Sequence, residues 1–116
     1  LRRKEDSTAK PAERRPKSRK QVLAAGIVAF DGGQRSFDCT IRDLSETGAR
    51  IVAAKGAQFP ADFYLINIRD RIAYEARLAR QEGLEAGVLF KKSLPLSGVT
   101  DPALGFLKRM WLSKAR

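Results

Sequence analysis

The sequence predicts an all-β domain: a six-stranded antiparallel barrel with a flexible basic N-terminal arm and a C-terminal α-helix. Three observations carry this. Six short apolar runs, at 22–30, 34–42, 48–54, 61–69, 72–80 and 84–91, follow one another with turn residues between them. The links are hairpin-sized or little longer: Asp31-Gly32-Gly33, Leu44 to Thr47, Lys55 to Pro60, Asp70-Arg71 and Gln81-Glu82-Gly83. Such lengths favour antiparallel neighbours over βαβ crossovers. The chain has only 116 residues, and in so short a domain six strands with one apolar face each close most economically into a barrel, which removes exposed edges.

The elements follow in order as an arm at 1–12, a barrel domain at 13–94 and a helical segment at 95–116. The arm is polar and charged, with too little apolar surface to offset its ordering entropy, so it is expected to be disordered. Alternation marks the second strand (Phe37, Cys39, Ile41), the third (Ala49, Ile51, Ala53), the fifth (Ile72, Tyr74, Ala76, Leu78) and the sixth (Ala86, Val88, Phe90), each with one wet face. The fourth run, Phe63-Tyr64-Leu65-Ile66-Asn67-Ile68, is apolar on both faces and needs a cover. The C-terminal segment can supply it. Asp101 before Pro102 is a helix start, Leu104, Leu107 and Trp111 recur at helical spacing, and Lys108, Arg109 and Lys114 stand toward the end where cations suit the helix dipole.

Composition removes several chemistries. There is no His and one Cys, so no Ser-His-Asp triad, Cys-His pair, His-ligated metal or disulfide framework can form, and no catalytic or metal site is expected. Cys39 falls in the apolar alternation and reads as a small buried hydrophobe. No apolar run approaches the roughly 20 residues of a membrane span, and the first residues lack the apolar core of a secretory signal; the expected location is cytoplasmic.

The net charge of +10 is unevenly spread. Residues 1–20 hold nine basic and three acidic residues, residues 21–90 hold eight and nine, and residues 91–116 hold six and one. The body is therefore neutral. Proteins that track a phosphate backbone carry a basic stripe on the folded surface, so nucleic acid is disfavoured as a partner. A small anion held between a basic arm and a neutral body fits better.

Two clusters could hold it. The first is Glu13-Arg14-Arg15-Pro16-Lys17-Ser18-Arg19, with Arg15 and Arg19 four apart and Pro16 opposing ordinary helix. The second is Asp43-Leu44-Ser45-Glu46-Thr47-Gly48, with a carboxylate and a hydroxyl two residues apart and Gly48 available for φ > 0. Taken singly, the first reads foremost as a solvated arm or a non-specific phosphate binder and the second as a plain hairpin turn.

Together and in this order, the clusters resemble the PilZ family of bacterial receptors for the second messenger cyclic di-GMP. The family pattern is R-x-x-x-R, a strand pair, then [DN]-x-S-x-x-G, matched by Arg15 and Arg19 and by Asp43, Ser45 and Gly48. The resemblance continues through Gly48-Ala49-Arg50-Ile51 to Ala86-Gly87-Val88-Leu89-Phe90, similar to a Gly-Val-x-Phe closing strand, and covers about residues 13–91. One departure is Arg80, where many members carry Trp.

The resemblance implies a PilZ-type barrel that binds cyclic di-GMP, has no cofactor and catalyses nothing. It implies that Asp43 accepts from guanine N1 and N2 hydrogens, Ser45 adds a hydroxyl contact and Gly48 lets the turn lie close to the ligand. Arg15 and Arg19 would hold guanine and phosphate as the arm folds over the barrel. Arg14 extends the cluster to Arg-Arg-x-x-x-Arg, which in the family goes with an intercalated ligand pair, two molecules per chain. Guanidinium suits the task because it forks onto phosphate, pairs with guanine O6 and N7 and stacks on purines. The signal would pass to an effector protein that the sequence does not identify. Two other readings stay open at this point: a nucleic-acid-binding barrel, and a PilZ-fold protein-interaction adaptor that needs no ligand.

Overall fold

The computed structural model describes residues 20–54 and 57–114. The arm, with Arg14, Arg15 and Arg19, lies outside the described residues. Six antiparallel strands close a barrel: β1 (Lys20–Phe30), β2 (Arg35–Leu44), β3 (Gly48–Ala53), β4 (Asp62–Asn67), β5 (Ile72–Glu82) and β6 (Glu85–Pro95). The order around it is β1-β2-β3-β6-β5-β4, with β1 pairing β4 to complete the ring. The second and sixth strands run past the ends the apolar runs predict, to Leu44 and Pro95. Polar residues such as Asp43 and Ser93 sit in ladder positions that periodicity does not reveal.

The alternating positions fill the interior. Ala24, Val28, Cys39, Ile41, Ala49, Ile51, Phe63, Leu65, Tyr74, Ala76, Ala86 and Val88 form one buried cluster. Tyr74 of that cluster stacks on the partly buried Phe90, their ring centroids 4.0 Å apart and planes 8° from parallel. Phe37 meets Phe59 edge to face at 5.2 Å. Cys39 is buried, as the alternation predicts.

A second cluster lies on the outer face and explains why β4 is apolar on both sides. Ile27 and Ala29 of β1, Ile66 of β4 and Ala73 of β5 are covered by Leu96, Phe106 and Leu107. The fifth strand therefore does not keep the single wet face its alternation implies, because Ala73 is wholly buried under the C-terminal segment. The helix begins later than Asp101-Pro102 suggests. Asp101 caps a 3-10 turn at Pro102–Leu104 by accepting from the Ala103 N–H at 3.0 Å, and α1 spans Gly105–Lys114. Its seat is fixed by Trp111, whose indole Nε1–H donates to the Ile68 carbonyl at 2.8 Å. The Arg71 guanidinium lies over the same indole, 5.3 Å from its centroid.

Buried Asn67 builds the turn beneath that indole. Its Oδ1 accepts from the Asp70 N–H and its Nδ2 donates to Asp70 Oδ2, both at 3.1 Å. At the opposite corner, Gly33 has φ 92°, and a Cβ there would meet the Phe106 ring at 2.9 Å, so only glycine lets the β1–β2 turn pass under the helix.

Candidate ligand-binding site

The β2–β3 turn is organised by Ser45. Its N–H donates to the Gly48 carbonyl at 2.9 Å, and its Oγ accepts from the N–H groups of Thr47 and Gly48, each at 3.2 Å. The hydroxyl thus acts as a backbone substitute within the turn. Gly48 is not among the positive-φ residues, which corrects the expectation that its conformational freedom is used. Its requirement is steric: a Cβ would stand 2.3 Å from the Val88 carbonyl oxygen of β6.

Asp43 owes its direction to two bulges. On β2, Cys39 and Ile41 point inward, and unbroken alternation would carry Asp43 into the core with them. The β2–β3 ladder instead passes from Ile41↔Ile51 to Asp43↔Arg50, with Arg42 the extra residue. That one-residue slip turns Asp43 to the outer face, opposite Arg50. The β1–β2 ladder shifts beside it, from Ala24↔Ile41 to Gln21↔Asp43 and Lys20↔Leu44. The first described residue of β1 is therefore paired next to the Ser45 turn, and Arg19 is the residue before it in the chain.

Asp43 is buried, and its Oδ2 accepts from Arg50 Nε at 2.6 Å. Arg50 Nη1 donates in turn to Glu85 Oε2 at 2.8 Å. The bond to Asp43, and then that to Glu85, holds the Arg50 guanidinium above its ordinary value. Arg50 and Glu85 join Asp43 in this cluster, and sequence reasoning does not single them out. Arg50 follows Gly48 by two positions in the run Gly48-Ala49-Arg50-Ile51, which carries the family resemblance but assigns Arg50 no role. The row continues across the barrel, for Arg50 pairs with Gly87 and Gly87 with Arg80. Arg80 lies across Gly87, where a Cβ would meet its Cγ at 3.5 Å. The departure at Arg80 thus stands on the same outer row as Asp43.

The structure brings Asp43, Ser45 and Gly48 to one end of the barrel. A cleft of about 360 Å³ between Phe30, Tyr64 and Phe106 lies by the opposite end of β1 and takes no part in this site. Among the described residues, no group of three His, Cys, Asp or Glu side chains could hold a metal ion, and no helix is long and apolar enough to cross a membrane.

No curated protein sequence matches the chain significantly. Residues 13–99 match the family model of the PilZ domain. Domains of that family are in general non-catalytic, ligand-binding and associated with cyclic di-GMP. The match takes in all six strands, the Asp43–Gly48 turn and the arginines before β1, and on that extent the chain belongs to the PilZ domain family.

Proposed function

We propose that this chain is a cyclic di-GMP receptor in which the arm's arginines and the Asp43 turn close on the ligand from two sides. The observation that carries the reading is the β1–β2 register: Lys20 pairs with Leu44 and Gln21 with Asp43, so the first described residues of β1 lie beside the buried Asp43, and Arg19 precedes them in the sequence. Asp43 reads the guanine N1 and N2 hydrogens, Ser45 adds its hydroxyl, and Gly48 keeps the turn close. Arg14, Arg15 and Arg19 supply the positive charge for two phosphates and the planar groups for guanine. Binding orders the arm over the barrel, and an effector protein that touches both reads the change. No catalytic step and no cofactor belong to this reading.

The aromatic side chains argue against a nucleic-acid platform. Phe37, Phe59, Phe63, Tyr74 and Phe90 pack in or against the interior cluster, while Tyr64, Phe106 and Trp111 pack with the helix. The exposed large apolar residues among those described are leucines, Leu23, Leu84, Leu89 and Leu112, which cannot stack bases.

Calorimetric titration of the full chain with cyclic di-GMP tests the proposal. Saturable binding is expected, with two ligands per chain if Arg14 supports an intercalated pair. No heat and no competition by cyclic di-GMP, with salt-sensitive binding of generic single strands, would replace it with the nucleic-acid reading. A chain that binds neither would be the adaptor.

A further inference from the structure

Arg50 is gripped at two points by two carboxylates, and the three side chains come from three adjacent strands, β2, β3 and β6. Asp43 stands directly opposite Arg50, and Glu85 is the diagonal neighbour, two residues from Gly87 on the same face. A long side chain spans that diagonal. Its exposure, 28% for Arg50 against 10% for Asp43, puts the guanidinium at the rim and the carboxylate beneath it.

We propose that Arg50 is a positioning residue for guanine recognition: it fixes the Asp43 carboxylate and lowers the negative charge around it, while Glu85 fixes Arg50 from β6. This rests on the cyclic di-GMP reading of the site. A carboxylate that accepts two N–H groups from one base edge must hold its plane. The Nε–H of Arg50 anchors Oδ2 and removes that rotation in advance. Two carboxylates alone would repel the phosphates at close range, and the Arg50 guanidinium, 2.6 Å from Asp43 and 2.8 Å from Glu85, halves their joint charge. Arginine suits the position because its planar fork engages Asp43 through Nε and Glu85 through Nη1 at once. A lysine ammonium cannot fix both directions.

The test compares cyclic di-GMP with cyclic di-IMP, whose hypoxanthine keeps the N1 hydrogen and lacks the N2 amine, by calorimetry on the full chain. Arg50→Met is expected to weaken cyclic di-GMP by about tenfold and cyclic di-IMP by only about threefold, narrowing the preference for guanine. Glu85→Gln is expected to narrow it in the same direction and less. Arg50→Lys, which keeps charge and length, guards against a folding failure of the methionine variant and is expected to lose several-fold for guanine as well. Wild-type binding of cyclic di-GMP by Arg50→Lys, or equal losses for both ligands in either Arg50 variant, would overturn the positioning role while leaving the receptor reading intact. Failure of the unmutated chain to bind either ligand would instead overturn the receptor reading, and this role with it.

Discussion

The backbone of Gly48 runs so close to that of Val88 that a Cβ on the glycine would stand 2.3 Å from the Val88 carbonyl oxygen. The obstacle is backbone in the neighbouring strand, held by the pairs Gly48↔Leu89 and Ala49↔Val88 and by the Phe90 N–H donating to the Thr47 carbonyl at 2.8 Å. It cannot swing aside as a side-chain tip would. Gly48→Ala is therefore expected to cost about 2–3 kcal/mol of stability, as overpacking does when a backbone must shift. Urea unfolding followed by circular dichroism measures it. An unchanged midpoint would show that the turn yields freely and that the glycine serves the ligand alone.

Much of this architecture is legible in the chain, because side-chain period and turn chemistry are local. Phe37, Cys39 and Ile41 announce an inward face, and Asp31-Gly32-Gly33 announces a turn. What periodicity hides is the bulge at Arg42, since an extra residue leaves no mark in the hydrophobic pattern while it reverses the direction of Asp43. For the same reason the partnership of Asp43, Arg50 and Glu85 is invisible: Arg50 stands seven residues from Asp43 and 35 from Glu85, and the three meet only through ladder register. Asn67 is hidden differently. A buried amide in an apolar run looks like a flaw until its bonds to Asp70 are seen.

The helix is part of the folded unit, because Leu107 is wholly buried on the outer face of the barrel. Trp111 is the sole tryptophan, so its fluorescence reports that contact. In the unmutated chain, fluorescence and far-ultraviolet circular dichroism are expected to change in one transition. Leu107→Ala should remove about 2–5 kcal/mol from the helix contact and let fluorescence change before the barrel melts. Coincident, unshifted transitions in the variant would mean that Leu107 contributes nothing to docking.

Cys39 gives a pH prediction whose sign is fixed. Burial, and secondarily the charge of Asp38, pushes its thiol from 9.0 up to about 12 in the folded barrel. Between those values the unfolded chain has lost the proton that the native chain keeps, so stability falls as pH rises through that window and is fully present below it. Cys39→Ala should show a shallower loss of stability than wild type between pH 8 and 10 in urea titrations. In the native protein at pH 8 a disulfide reagent should react only as fast as the barrel opens. Immediate stoichiometric labelling would contradict the burial on which the argument rests.

The last expectation concerns coupling between the arm and the turn. Lys20, the first described residue, has its backbone paired with Leu44 beside Asp43, and Arg19 precedes it in the sequence. If Arg19 forms a desolvated charge pair with the ligand, Arg19→Ala should weaken cyclic di-GMP binding by roughly 2–5 kcal/mol while the circular dichroism stays that of the wild type. The closure should also be visible without mutation. Amide exchange at residues 15–20 is expected to slow on saturation with cyclic di-GMP, while exchange in β3, already protected by β2 and β6, changes little. Asp43→Ala should retain less of that slowing and should let cyclic di-AMP, which lacks the N1 hydrogen, compete better relative to cyclic di-GMP than in the wild type. Slowing at the arm without any change in selectivity would assign the ligand to the arginines alone and remove Asp43 from ligand recognition. Equal exchange at the arm with and without saturating ligand would remove the arm from the switch even where calorimetry shows binding.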